Sequence, residues 1–154
     1  PRQHWVFGKQ GREMIRFFLV YNTKGITRLS KFYVPSPDNE KKAIIKQLHG
    51  LIMKRDATQP RYFPYHGNTQ ILYRRYQQLY FCMCIEDGDN VLAYLESIHL
   101  FVTVLNRYFN PVSELDIMYN FNKVYGILDE VYLAGEVMET STAVVMKQLA
   151  LMDQ

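Results

Sequence analysis

Residues 14–33 read MIRFFLVYNTKGITRLSKFY, two apolar runs around a polar turn. Alternate side chains of a strand share a face. Over 14–22 this puts Ile15, Phe17 and Leu19 on one side, and Phe18 and Val20 on the other. A strand that is apolar on both faces is covered on both. Asn22-Thr23-Lys24-Gly25 supplies turn chemistry, and 26–34 returns as the partner strand. A hairpin with helical layers on both sides is therefore expected. In the returning strand Ile26, Arg28, Ser30 and Phe32 share one face, and Thr27, Leu29, Lys31 and Tyr33 the other. Arg28 thus stands beside two residues expected to be buried, Ile26 and Phe32.

The helices follow. Ser36-Pro37-Asp38 reads as a start, with Ser36 as cap and Pro37 at the first helical position. Ile44, Ile45, Leu48, Leu51 and Ile52 then keep a helical period to about Lys54. Proline and glycine punctuate 60–68, and 69–76 and 79–86 read as strands joined at Gln77-Gln78, a turn without the usual Gly, Asn or Asp. Glu86-Asp87-Gly88-Asp89 leads into a helix striped by Val91, Tyr94, Leu95, Ile98, Val102, Leu105 and Phe109, stopped at Asn110-Pro111. Ser113-Glu114-Leu115-Asp116 resembles a capping box. It opens a helix with Ile117, Phe121, Val124, Leu128 and Tyr132 inward and a stop at Gly135. A short last helix starts near Thr140 or Ser141 and shows Val144, Val145, Leu149 and Met152. Two strands, a helix, two or three strands and further helices make an α+β domain, its antiparallel sheet lying between helical layers. Residues 1–13 keep no steady period. They are expected to be an N-terminal extension or expression remnant, with a native arm as the alternative, ahead of one domain over 14–154.

The chain has 154 residues, 48% hydrophobic and 21% charged, with a net charge of +3. That is enough for one core, and the mild charge does not by itself imply a nucleic-acid platform. No apolar run reaches the roughly 18 residues of a membrane span, and no signal-peptide pattern heads the chain. Cys82 and Cys84 alternate along one strand and face the same way. Two reduced, buried thiols in a cytosolic protein are expected, rather than a disulfide, redox or metal pair. His4, His49, His66 and His99 fall in four separate elements without ligand spacing. No nucleophile elbow, P-loop or dinucleotide fingerprint is present, and Gly88 in EDGDN lacks the later acid of a calcium loop. No catalytic, metal or cofactor site emerges. Tyr73-Arg74-Arg75-Tyr76 interleaves aromatic and cationic groups in a way that stacks on bases elsewhere. On a strand, however, Arg74 and Arg75 point to opposite faces, which favours pairing with carboxylates of neighbouring elements or of a partner chain.

The stretches MIRFFLVYNTKGITRLSKFY, ILYRRYQQLYFCMC, IHLFVTVLNRYF, SELDIMYNFNKVYGILDE and AGEVMETS resemble the small (sigma) subunits of heterotetrameric clathrin adaptor complexes. The resemblance runs from Met14 to about Met152. VLAYLESIH, LAGEVMETS and KQLALMD look most like the sigma subunit of the plasma-membrane, endocytic complex (adaptor protein complex 2). A trans-Golgi or endosomal sigma subunit, or a longin-type regulatory domain, is the alternative. The resemblance implies a longin-like fold, a five-stranded antiparallel sheet sandwiched by helices. It implies no enzyme and no cofactor. It implies instead a scaffold on an alpha-type large subunit, with beta and medium subunits completing the complex. Peripheral membrane association would come through that complex, at the cytoplasmic face of clathrin-coated pits and vesicles and in the cytosol. Its ligands would be acidic dileucine signals, [DE]-x-x-x-L-[LI], in cargo tails. Carried over by position, Arg28 of the TRL stretch lies near the signal's acid, and Leu79, Val102 and Val112 line its leucine pockets. Two positions depart from the pattern: Gln77 stands where the family has a small alanine, and Pro111, which lacks a backbone N–H donor, where it has asparagine.

Overall fold

The 14–33 hairpin forms, with two irregularities that strict alternation misses. The structure, a computed structural model, describes residues 15–86 and 91–132. The expected 1–13 extension, the Asp87–Asp89 turn, the Gly135 stop and the last helix lie outside the described residues. Strands β1 (Ile15–Asn22) and β2 (Thr27–Phe32) flank a turn tied by Asn22, whose Oδ1 accepts from the N–H groups of Lys24 and Ile26 at 2.9 and 3.0 Å. Gly25 holds φ +85°, and a Cβ there would lie 2.8 Å from His49 Cδ2, so both conformation and space call for glycine.

Both irregularities are bulges, and each redirects side chains. Ile15 pairs with Ile85 and Phe17 with Cys84, which leaves Arg16 without a partner on the β5 side, while its carbonyl accepts from the Tyr33 N–H at 2.9 Å on the other. Ile15 consequently joins Phe18 and Val20, not Phe17 and Leu19 as expected. On the other edge Val20 pairs with Leu29 and Tyr21 with Thr27, so Arg28 is the extra residue. The expectation that Ile26 is buried also fails. It sits in the turn, ahead of the first paired residue, and is 47% exposed. Leu29 of β2 and Tyr33 just after it pack in the core on one face, with Phe32 half-buried against the other.

Helix α1 (Asp38–Met53) follows, then β3 (Tyr62–Pro64), β4 (Thr69–Tyr76) and β5 (Leu79–Glu86). The α1 cap differs from expectation: Pro37 is extended (ψ 152°) and is itself the N-cap, with no side-chain cap bond from Ser36 or any other residue. Among the described residues the strands form one antiparallel sheet ordered β2-β1-β5-β4-β3. The short β3, in a stretch read only as punctuation, closes one edge. Helix α2 (Val91–Phe109) carries the expected stripe, widened by Leu100, Phe101 and Val104. The capping box is present, with Asp116 N–H donating to Ser113 Oγ and Ser113 N–H to the Asp116 carboxylate.

The helix after that box is broken where continuity was expected. Asn120 (φ −125°, ψ 36°) separates α3 (Glu114–Tyr119) from α4 (Phe121–Val131). The break turns Phe121 outward to 51% exposure, while Ile117, Val124, Leu128 and Tyr132 remain buried. The result is two cores. Helix α1 covers Phe17, Leu19, Tyr21, Ile71, Tyr73 and Cys82 on one face of the sheet. Helices α2, α3 and α4 cover Phe18, Val20, Leu72, Phe81 and Met83 on the other. This is the α+β, longin-like sandwich, and it explains a central strand that is apolar on both sides.

Cys82 and Cys84 are free, buried and on the α1 face. Burial pushes the Cys84 thiol up to about 11 from its ordinary 9.0 and the Cys82 thiol higher still. The unfolded thiols ionise first as pH rises, so the unfolded state binds fewer protons and folding loses stability across that window. Urea midpoints should hold below pH 9 and fall toward pH 11; a midpoint flat to pH 11 would contradict the burial.

Candidate functional site

Arg28 reaches its position through the β2 bulge. Its Nε donates to Glu114 Oε2 at 2.6 Å, and the same oxygen accepts from Asn22 Nδ2 at 2.9 Å. Glu114 is the first residue of α3, fixed there by the Ser113 cap. The hydrogen bond from Arg28, then that from Asn22, holds the Glu114 carboxyl below its usual range. Only Nε of Arg28 has a protein acceptor among the described residues. Its two terminal nitrogens have no acceptor among those residues, and the side chain is 23% exposed. The puzzle of an arginine among apolar neighbours resolves here: the bulge aims it at a carboxylate on the α2–α4 side, where Leu29 packs.

Glu114 is also one wall of a groove of about 340 Å³ between the β4–β5 turn and the Pro111–Leu115 segment. Leu79 and Val112, 4% and 8% exposed, and Phe81 form its apolar floor. Gln77, Gln78 and Pro111 stand around them. Asn106 Oδ1 accepts from the Val112 N–H at 3.1 Å and fixes the segment after α2. The structure thus gathers Leu79 and Val112 with both departing positions, Gln77 and Pro111, and ties Arg28 to them through Glu114. It does not bring Val102 to the groove. That residue is 2% exposed, inside the core under α2. Sequence reading missed Asn22 and Asn106 as site residues and took Glu114 only as part of a cap. The capping motif itself was the one available signal, since it marks where a helix start must sit.

Two further surfaces matter. Leu115, Met118, Tyr119 and Phe121 are 58%, 37%, 77% and 51% exposed around the α3–α4 break, a run of apolar side chains that a folded chain alone does not cover. Arg74 donates to the Leu95 carbonyl and lies 3.8 Å from Glu96 on α2, while Arg75 projects to the α1 side. No group of three or more His, Cys, Asp or Glu side chains converges among the described residues.

A chain of a homology model of the full-length AP-3 complex in a stretched open conformation superposes with a TM-score of 0.72 at 29% identity, covering 91% of this chain and 94% of that one. The AP-2 complex subunit sigma of Neurospora crassa is 48% identical over 92% of this chain and 99% of its own length. The AP-2 complex subunit sigma of Dictyostelium discoideum is 44% identical, covering 91% and 98%. The AP-1 complex subunit sigma-1 of Arabidopsis thaliana is 42% identical, covering 92% and 87%. The sequence model of the clathrin adaptor complex small chain matches residues 14–154. With a sandwich fold shared over nearly its whole length and relatives that are adaptor subunits rather than enzymes, this chain belongs to the clathrin adaptor complex small chain family.

Proposed function

We propose that this small chain helps an adaptor complex bind acidic dileucine signals, the leucines lying in the Leu79–Val112 groove and the acid meeting Arg28. The observation that carries the reading is the junction at Glu114, which lines the apolar groove and, through its ion pair, sets the Arg28 guanidinium beside one end of it. Burying two leucines contributes at most about 1.5–3 kcal/mol each, and a charge contact at a partly exposed site about 1 kcal/mol. Ordering a disordered tail opposes this, so single contacts of micromolar or weaker affinity follow. Many adaptors on one membrane turn such contacts into avidity.

Membership of the plasma-membrane complex, at clathrin-coated pits, is supported by the 48% identity to an AP-2 sigma subunit against 42% to an AP-1 one. The exposed Leu115–Phe121 surface supplies an apolar contact of the kind a large adaptor subunit would cover. Titrating a labelled E-x-x-x-L-L peptide into the assembled complex tests the reading. Saturable binding that disappears when both leucines become alanine supports it, and equal binding of the two peptides would end it.

Gln77 modulates the same groove. It is exposed, at φ +55° in the β4–β5 turn, and is one of the residues lining the groove. Gln77→Ala opens the rim without altering the apolar lining, and is expected to tighten the peptide about threefold, roughly the burial of one more methylene. An unchanged affinity would show that the amide swings clear of the ligand.

A further inference from the structure

On the α1 side of the sheet, a second cavity of about 240 Å³ lies between the end of α1 and the β3–β4 edge. Arg55, Arg61, Arg75, Tyr73, Tyr80 and Asp56 are among its walls. Among the described residues Arg16, Arg28 and Arg74 each lie within ion-pair distance of a carboxylate. Arg55, Arg61 and Arg75 share one cavity and have no carboxylate within that distance among the described residues.

Two of these guanidiniums are held in place by neutral groups. Arg55 donates through Nε to Tyr73 Oη at 3.2 Å and through Nη2 to the Pro60 carbonyl at 2.7 Å, and lies 4.7 Å from the Phe63 ring centroid. Arg75 donates through Nε to the Gln77 carbonyl at 2.9 Å and through Nη1 to Tyr80 Oη at 3.4 Å, stacked 5.4 Å from that ring. Each keeps one terminal nitrogen free of these bonds, Nη1 of Arg55 and Nη2 of Arg75. Tyr73 and Tyr80, only 9% and 7% exposed, each accept from an arginine and so retain an O–H to donate. Asp56 is the one carboxylate in the lining, and its Oδ1 accepts from the backbone and hydroxyl of Thr58 within its own turn. Beside the apolar Ile52, Met53 and Ala57, the cavity thus keeps free donors on its three arginines and two tyrosines against the single carboxylate of Asp56, which the Thr58 hydrogen bonds, helped by the nearby Arg55 charge, hold below its usual range.

We propose that this cavity binds a phosphate monoester. Three guanidiniums and two hydroxyls sharing one cavity match the several terminal oxygens and double charge of a tetrahedral phosphate better than a planar, singly charged carboxylate. Arg55 is the fixed element, because it also pins the 55–62 loop. Arg61 and Arg75 are exposed and close on the ligand from the solvent side. A lipid headgroup and a soluble phosphate ester share this chemistry. The site lies on the opposite face of the sheet from the Leu79–Val112 groove and does not depend on what that groove binds.

The test uses the full chain in its assembled complex. Saturation-transfer NMR with glycerol 3-phosphate should show binding that weakens about tenfold or more when Arg61→Gln and Arg75→Gln remove two charged donors. Arg74→Gln, on the other face, should bind as the unsubstituted complex does. Arg61→Gln alone leaves the hydrogen bonds of Arg55 and Arg75 in place, and should weaken binding in the same direction by a smaller factor. No transfer to the unsubstituted complex, or equal loss with Arg74→Gln, would overturn the proposal. Vesicles carrying phosphatidic acid, compared with phosphatidylserine at matched charge, separate the sources. Arginine-dependent preference for phosphatidic acid assigns a lipid headgroup, and glycerol 3-phosphate binding without that preference assigns a soluble ester.

Discussion

Replacing Phe101 by alanine is expected to lower the unfolding free energy by about 3–5 kcal/mol. Phe101 is fully buried in the middle of α2. Its ring meets Phe18 of β1 edge-on at 5.4 Å, Phe81 of β5 at 6.0 Å and Tyr132 beyond α4 at 6.5 Å. One side chain therefore joins the long helix to both central strands and to the helix above it. Truncation leaves a cavity that cannot collapse, since backbone from four elements holds its walls. A domain of this size has only about 5–15 kcal/mol in total, so the variant should unfold at far lower urea. Phe101→Leu, which fills most of the volume, should lose much less. A loss under about 1 kcal/mol for the alanine variant would mean that the α2–sheet contact is not the principal core.

Arg28→Ala is expected to weaken an E-x-x-x-L-L peptide by about five- to tenfold, close to 1 kcal/mol. The same peptide with its acid replaced by alanine should change little. The asymmetry has two sources. The variant loses the cation that meets the signal's acid. It also releases Glu114, whose carboxylate in the folded chain is held by Arg28 and Asn22, so an unneutralised negative charge is left in the groove wall. Adding Glu114→Gln to Arg28→Ala should accordingly recover part of the loss for the acidic peptide and none for the neutral one. Equal losses for both peptides would remove the charge-reading role of Arg28.

Much of this architecture is visible in the chain, because it rests on local periods. The doubly apolar β1 run, the α2 stripe and the Ser113–Asp116 box each encode their own burial or capping, and each forms as read. What escaped depends on pairing between distant segments. The bulges at Arg16 and Arg28 are properties of register against β5 and β1, which no single strand's alternation contains. The pause at Asn120 interrupts an unbroken helical period, so Phe121 was read on the wrong side. The candidate site follows the same division. Leu79 and Val112 are placed by the resemblance and not by any local period, since an apolar residue beside a turn or a cap does not by itself mark a groove. Glu114, which joins their groove to Arg28, lies 86 positions from it in sequence, and only the folded sheet brings the two together. Val102, placed by the same resemblance, lies in the core and is not part of the groove lining.

The most direct measurement places a photo-activatable leucine analogue at each of the two leucine positions of an E-x-x-x-L-L peptide and cross-links it to the assembled complex. Cross-links mapped by mass spectrometry should fall on Tyr76–Leu79 and Pro111–Leu115, and excess unlabelled peptide should suppress them. Cross-links that fall elsewhere on this chain, or only on other subunits, would contradict the assignment of the Leu79–Val112 groove as the dileucine site.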